Sequence, residues 1–264
     1  MLTWNLFHGR DGPPDPALYT RRAEWTRRTE RNRTHVQVNR DLYREFSALL
    51  AGARWDVALL QECPPRWGRP LARDCRAELH RSLTSRNWLL PLTNLLARHN
   101  PDLIGSAEGG SNAILARGSA GGIVEGRSYT IRQLRPERRT MAFARLGCGL
   151  CVTSLHASTT DRLAEAELIR AAERATDWAR GVPLVLGGDF NVRPDQSDVF
   201  ELLAERYGLR GPTAARSIDH LLTLGAEVLE PPRAWPPMAR ELEEDGLALR
   251  LSDHDPVEAL LRIA

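Results

Sequence analysis

The stretch that most constrains the fold of this 264-residue chain is the largely apolar run 182–188, which is followed at once by Asp189, Phe190 and Asn191. A short apolar run closed by glycines predicts a fully buried β-strand with a sharp turn at its end. In extended backbone, residues two apart face the same way, so Asp189 and Asn191 are predicted to project into one pocket. The alternative is a surface turn in which both side chains hydrogen-bond to their own backbone.

Length and composition predict one globular domain over residues 1–264. Hydrophobic residues make up 42% of the chain and charged residues 27%, which excludes a disordered or fibrous protein. No apolar stretch reaches the length of a membrane span, and the first predicted strand starts directly after Met1, leaving no room for a signal peptide. We therefore expect a cytoplasmic protein. The net charge is only +2, but all 36 basic residues are arginines, whose planar donors suit phosphate.

Five further apolar segments carry polar residues at or beside one end. They are the predicted strands at 2–6, 55–60, 150–155, 217–223 and 257–263, with Asn5, Glu62, His156, Asp219 and the pair Asp253 and His254, respectively. Each residue alone has an ordinary explanation, such as a turn or a structural histidine. Together they favour one site, because oxygen-ligated metal sites are commonly assembled where strands end.

The remaining segments predict scaffold rather than chemistry. Apolar residues at helical spacing predict helices at 42–50, 70–99 and 163–175. The arginine-rich stretch 21–40 is interpreted as a solvated helical face or a mobile loop, with a track for a phosphate backbone as the alternative. Residues 231–237 predict an extended loop whose Trp235 packs on the body of the protein, with a wedge or stacking contact with a base as the alternative.

The polar motifs occur in a characteristic order: Asn5, Gln61-Glu62, Ser-Leu-His156, Gly-Asp189-Phe-Asn191, Ile-Asp219-His and Ser-Asp253-His254. This order resembles the endonuclease/exonuclease/phosphatase superfamily, which includes exonuclease III and pancreatic-type deoxyribonuclease, from residue 5 to residue 263. The resemblance implies an α+β fold, a four-layer α/β-sandwich in which helices flank two packed mixed β-sheets (DNase-like). It also implies a metal-dependent hydrolase of phosphate esters.

Phosphate-ester cleavage gives each of these residue types a role. Asn5, Glu62 and Asp253 offer oxygen ligands for Mg2+, with Mn2+ as the alternative. His156 and Asn191 can donate hydrogen bonds to the non-bridging phosphate oxygens, where charge shifts in the transition state.

The candidate bases form a second group. His254 beside Asp219 makes an oriented imidazole suited to activating water or binding phosphate, and Asp189 is the other candidate base. Which of them takes the proton stays open. Asn112 and Arg139 resemble phosphate-side positions of the superfamily and are the predicted substrate-binding residues.

The resemblance specifies the reaction better than the substrate, because members act on nucleic acids, inositol phosphates and sphingomyelin. The segment Arg216-Ser-Ile-Asp219-His220 lacks the Trp-Cys-Asp-Arg pattern of inositol phosphatases, and His220 replaces the aromatic residue usual in abasic-site endonucleases. We therefore predict a monomeric nuclease whose partner is nucleic acid. The alternatives are a phosphatase or phospholipid phosphodiesterase and, with less support, a non-catalytic nucleic-acid-binding module.

Overall fold

The computed structural model describes residues 1–85, 87, 90–133 and 138–263. The strands are β1 (Leu2–Asn5), β2 (Glu30–Arg31), β3 (Val36–Gln37), β4 (Val57–Cys63), β5 (Ala77–Leu83), β6 (Ser111–Arg117), β7 (Ile123–Gln133), β8 (Arg138–Leu146), β9 (Cys151–His156), β10 (Leu184–Asp189), β11 (Asp219–Leu224), β12 (Glu227–Ala234), β13 (Glu241–Glu244), β14 (Leu247–Arg250) and β15 (Val257–Arg262). The helices are α1 (Arg21–Thr26), α2 (Tyr43–Gly52), α3 (Gly68–Asp74), α4 (Leu90–His99), α5 (Pro101–Ile104), α6 (Asp161–Ala179) and α7 (Val199–Tyr207).

Two mixed sheets pack face to face. One has the strand order β12-β15-β1-β4-β6-β5 and the other β11-β10-β9-β8-β7. Their inner faces meet in a buried cluster that includes Leu59, Ile114, Val152, Val185 and Leu221. Strands buried on both faces carry apolar residues at successive positions, which is why 184–186 and 57–60 show no alternation.

Helices cover both outer faces. Helices α2 and α3 pack on the first sheet through Phe46 and Leu71. Helices α6 and α7 pack on the second sheet, and the inner face of α6 repeats at Ala164, Leu168 and Ala172, as a helix packed along one side requires. Helix, sheet, sheet and helix make four layers, which confirms the predicted fold class. None of the helices in the described residues is both long and apolar enough to cross a bilayer.

Strand direction brings the predicted site residues together. Strand β1 runs parallel to β4, and β9 runs parallel to β10. In the second sheet, Asp189 lies opposite His156 on one side and opposite Asp219 on the other. The Asn5 amide donates to Asp189 Oδ2 at 2.9 Å and links the two sheets. The ends of these strands therefore converge on one edge of the sandwich.

The prediction of a helix over 70–99 was wrong in its middle. Helix α3 ends at Asp74, Arg76 has a left-handed backbone (φ 53°), and β5 then forms the outermost strand beside β6. Leu79 and Leu83 are four residues apart, which places them on one face of either a helix or a strand. Residues 86, 88 and 89 of the predicted helix lie outside the described residues.

Two other predicted segments contain regular structure. Strand β12 covers much of the predicted loop 231–237, and its two prolines are tolerated because it is an edge strand with register shifts. Trp235 packs on the body of the protein as expected, and its Nε1 donates to Glu258 at 2.9 Å. The arginine-rich stretch contains α1 and the short β2–β3 pair.

Candidate active site

A cavity of about 290 Å³ opens at the edge where β1, β4, β9 and β10 end. Eight of the ten predicted site residues line it: Asn5, Glu62, Arg139, His156, Asp189, Asn191, Asp253 and His254. Asp219 lies behind the cavity wall and contacts it through His254. The structure therefore brings together residues that are up to 249 positions apart in the chain (254 minus 5).

Asn112 is the predicted site residue that the structure places elsewhere. Its side chain is fully buried, and its Nδ2 donates to the Thr140 carbonyl at 2.6 Å. Because Asn112 is on β6 and Thr140 on β8, this bond joins the two sheets. Asn112 therefore makes a structural contact and is not among the residues that line the cavity.

Asp189 is the centre of the site. It is 1% exposed, and its Oδ2 accepts from Asn5 and lies 3.4 Å from His156 Nε2 and 3.8 Å from His254 Nε2. Its Oδ1 accepts from the backbone N–H of Asn191 at 3.1 Å. Burial raises the pKa of Asp189, and the nearby Asp219 carboxylate raises it further. A carboxylate with a raised pKa is suited to accept a proton near neutral pH.

Asn191 reaches the cavity through a turn rather than through strand alternation. Strand β10 ends at Asp189, and Asn191 has a left-handed backbone with φ 53°. Just before the turn, β10 lies so close to β9 that a Cβ on Gly188 would be 1.9 Å from the Leu155 carbonyl oxygen, so this position requires glycine. Asn191 Nδ2 donates to the Ala157 carbonyl at 3.1 Å, so the side chain is held in place at the cavity wall.

His254 forms a close ion pair behind the cavity wall. Its Nδ1 donates to Asp219 Oδ2 at 2.8 Å. Burial lowers the pKa of His254, but the carboxylates of Asp219, Asp189 and Asp253 outweigh burial and raise the pKa to about 10. The ring is therefore an imidazolium at neutral pH.

His156 differs from His254 in charge, because its ring is neutral at neutral pH. Its Nε2 lies 3.4 Å from Asp189 and its Nδ1 lies 3.6 Å from Glu62, both longer than an ordinary hydrogen bond. Burial lowers the pKa of His156 to about 3. A neutral ring can donate one hydrogen bond without bringing a charge into the cavity.

Glu62 points into the cavity because β4 is irregular at its end. The pairing with β6 shifts register between Leu60 and Cys63, and Glu62 has a left-handed backbone with φ 46°. Gln61 consequently turns into the core, where its Nε2 donates to Ser154 Oγ at 3.0 Å. Burial raises the pKa of Glu62, but contacts with His8 and His156 outweigh burial and hold the pKa below its usual range.

Two groups of ligand atoms could hold a metal ion. The predicted ligands Asn5, Glu62 and Asp253 all line the cavity. In the described part of the chain, a second group consists of Asp189, Asp219 and His254, whose ligand atoms lie within 4.8 Å of one another. A proton already bridges His254 and Asp219 in that group, whereas Glu62 and Asp253 keep ionisable oxygens facing the cavity.

The family follows from the sequence as a whole. Residues 2–254 match the model of the Endonuclease/Exonuclease/phosphatase family. The chain belongs to this family. A comparison with curated protein sequences finds no match.

Solved structures of family members share the fold. A family protein from Bacteroides thetaiotaomicron has a TM-score of 0.64 and 15% identity, with 100% of this chain and 97% of that chain covered. A mannosyl-6-phosphatase from the same organism has a TM-score of 0.62 and 15% identity, with 99% and 98% covered. The human Nocturnin catalytic domain with bound sulfate has a TM-score of 0.53 and 17% identity, with 79% and 81% covered. At such identities the likeness shows the fold alone.

The sequence prediction missed one titratable residue of the site, His8. It lies in the 3-10 turn Phe7–Gly9, lines the cavity, and its Nε2 is 3.4 Å from Glu62 Oε2. It follows Asn5 by three positions, so proximity to that motif was the one available signal. Its partner Glu62 comes from another strand, and a single sequence does not show that contact.

Proposed function

We propose that residues 1–264 form one domain that hydrolyses phosphate esters with a divalent cation. The observation that carries this proposal is the convergence of Asp189, His156, Asn191 and His254 on one cavity. Each supplies a function that the reaction needs, and their chemical states differ in the required way. A base, a neutral donor, an amide donor and a cationic acid lie around one volume large enough for a phosphate group.

Proton transfer is divided between Asp189 and His254. Asp189 Oδ2 contacts both histidines and accepts a proton from the attacking water. His254 is held protonated by Asp219, so it is a poor base and a good donor to a phosphate oxygen or to the leaving oxygen. Asp189 is therefore our candidate for the base. Asn191, His156 and Arg139 donate to the non-bridging phosphate oxygens.

The net negative charge of the described cavity lining favours binding of a metal cation. Among the described lining residues, the carboxylates Glu62, Asp189 and Asp253 outnumber the cationic Arg139 and His254. A phosphate anion would be repelled from such a cavity unless positive charge were added. Glu62, Asn5 and Asp253 would hold Mg2+ or Mn2+, which when bound neutralises phosphate charge and stabilises the leaving oxygen.

Nucleic acid is our first candidate substrate. Trp25 is 71% exposed on α1, between exposed arginines that include Arg21, Arg22 and Arg28. Exposed aromatic rings among arginines suit stacked bases and a phosphate backbone. The surface around Trp25 is linked to the cavity by the segment that follows α4. Asn100, at the end of α4, donates from Nδ2 to the Glu24 carbonyl of α1. The 3-10 turn Gly105–Glu108 after α5 then contributes Ser106 to the cavity lining.

Some arginines of this stretch already pair with carboxylates. Arg31 pairs with Asp245 at 2.5 Å, and Arg40 pairs with Glu45 and Glu244 at 2.6 and 2.9 Å. These arginines contribute less to a proposed phosphate track than Arg21, Arg22 and Arg28.

A phosphatase acting on a small ester is the second candidate, favoured by the modest cavity volume. The mannosyl-6-phosphatase of similar fold makes sugar phosphates the natural first compounds to test.

The test is a substrate panel with the full chain in Mg2+ or Mn2+. We expect cleavage of DNA or RNA that is abolished by a chelator and by Glu62→Ala or His254→Ala. If single- and double-stranded nucleic acids all stay intact while a sugar phosphate releases inorganic phosphate, the second candidate replaces the first. Tight nucleic-acid binding without turnover in any metal would favour a binding module. A cytoplasmic location and a monomeric state remain predictions, checked by fractionation and by light scattering.

A further inference from the structure

His8 has an unfavourable backbone that places its ring at the cavity. Phe7 and His8 both have left-handed φ values, 48° and 53°. Such conformations cost energy in residues other than glycine, and they cluster at functional sites. The turn packs closely against Trp67: a Cβ on the next residue, Gly9, would lie 2.3 Å from the Trp67 ring. His8 itself is 8% exposed.

The hydrogen bond made by His8 Nδ1 determines whether His8 Nε2 carries a proton or a lone pair. His8 Nδ1 lies 3.1 Å from the Gly109 carbonyl oxygen, which can only accept. The proton is therefore on Nδ1. In the neutral ring, Nε2 carries a lone pair that faces Glu62. A histidine whose second nitrogen donates to a backbone carbonyl is the usual arrangement of a metal ligand.

The distance between the two lone-pair atoms fits a shared cation. His8 Nε2 and Glu62 Oε2 are 3.4 Å apart, and both residues line the cavity. With metal–ligand bonds of about 2.1 Å, atoms at that separation subtend roughly 100–110° at the metal. That angle lies between the octahedral and tetrahedral values. The same distance is long for a hydrogen bond between an imidazolium and a carboxylate, which is the competing explanation.

We propose that His8 Nε2 and Glu62 bind the same divalent cation, which makes the site a mixed nitrogen and oxygen site. This inference rests on the proposed metal dependence and adds a ligand to it. An imidazole ligand favours Mn2+ over Mg2+, because Mg2+ strongly prefers oxygen and Mn2+ accepts nitrogen. The preferred cation is therefore Mn2+ or a later transition metal.

The direct test is Mn2+ binding by the full chain, without any substrate. Pulsed electron paramagnetic resonance detects a nitrogen bound to Mn2+, and a titration gives the affinity. We expect nitrogen coupling in the wild type and its loss in His8→Asn and His8→Gln. Asn tolerates the left-handed backbone of this position, so His8→Asn is the variant best able to fold. Mn2+ affinity should fall at least about tenfold, and Mg2+ affinity much less.

Two controls separate His8 from the other histidines. His80→Gln removes a ring whose Nε2 also contacts a backbone carbonyl, that of Arg127 at 2.7 Å, but which does not line the cavity. It should leave the coupling unchanged. In the double variant His156→Gln/His254→Gln, His8 is the one histidine left among the described lining residues, and the coupling should persist.

The outcomes also distinguish this inference from the proposed function. Bound Mn2+ without nitrogen coupling, coupling that survives both His8 substitutions, or coupling lost in the double variant would overturn the role of His8. Metal-dependent hydrolysis could still be intact in each of those cases. Failure of every metal to support hydrolysis, with Mn2+ bound and coupled to nitrogen, would instead overturn the proposed function and leave the ligand assignment standing.

Discussion

Two of the three histidines among the described lining residues, His156 and His254, differ in charge. His254 Nδ1 is 2.8 Å from Asp219, whereas the nearest carboxylate oxygen to His156 is 3.4 Å away, a difference of 0.6 Å (3.4 minus 2.8 Å). Burial lowers the pKa of both rings, but carboxylates outweigh burial only at His254. The pKa is about 10 at His254 and about 3 at His156. Contact geometry, more than burial, therefore decides which ring is the cation.

The largest expected effect follows from removing the cationic ring. His254→Gln keeps a donor of similar size but removes the positive charge and the transferable proton. We expect kcat to fall by about 10³-fold, within the range of general acid–base groups. The measurement is steady-state hydrolysis at saturating metal, with His80→Gln as a control outside the cavity. A loss below about tenfold would contradict the acid role of His254.

Asp219→Asn tests what keeps His254 charged. Without this carboxylate the pKa of His254 should drop from about 10, because burial lowers the pKa and Asp219 is the main group that raises it. His254 must be protonated to act, so the alkaline limb of the pH–rate profile should move to lower pH. We expect a loss of about 10- to 100-fold at neutral pH that recovers partly on acidification. An alkaline limb that stays in place would show that the ion pair does not control the charge of His254.

His156→Gln should have a smaller effect and a different signature. The wild-type ring is neutral, so the substitution replaces one neutral donor with another and changes no charge. We expect about a tenfold loss in kcat, with both limbs of the pH–rate profile unchanged. A shifted limb would mean that His156 titrates in the working range, and the contrast with His254 would then be wrong.

The sequence predicts this site well wherever strand direction decides the geometry. Asp189, His156 and Asp219 each lie at the end of an apolar run, and neighbouring pairing in one sheet brings such ends together. The four-layer fold follows from the same runs, because strands buried on both faces need helices on the outside. Edge strand β5 was missed because a spacing of four suits both helix and strand.

Local backbone irregularities and contacts between sheets are what the sequence does not reveal. Glu62 faces the cavity because of a register shift, and Asn191 because of its own left-handed backbone. Asn112 is predicted from the sequence as a substrate-binding residue, yet its amide donates to a backbone carbonyl of the other sheet. His8 carries no motif of its own. In each case the partner is distant in sequence, and no periodicity encodes it.

The smallest effect on catalysis is expected at Asp11, a buried carboxyl that does not line the described cavity. Unlike Glu62, it has no imidazole to offset burial, so burial raises its pKa from 3.8 to about 8. The native state then binds this proton more tightly than the unfolded chain between those pH values, and the free energy of unfolding should fall as pH rises through that window.

Asp11→Asn removes that titration while keeping an oxygen that can accept from the Val38 N–H, as Asp11 Oδ2 does at 2.9 Å. We expect unchanged kcat and a flatter dependence of stability on pH, by at most about 1.4 kcal/mol per pH unit. Urea denaturation at a series of pH values between 4 and 8, with exposed Asp177→Asn as the control, measures the slope. Equal slopes in wild type and Asp11→Asn would mean that Asp11 is ionised in the folded protein.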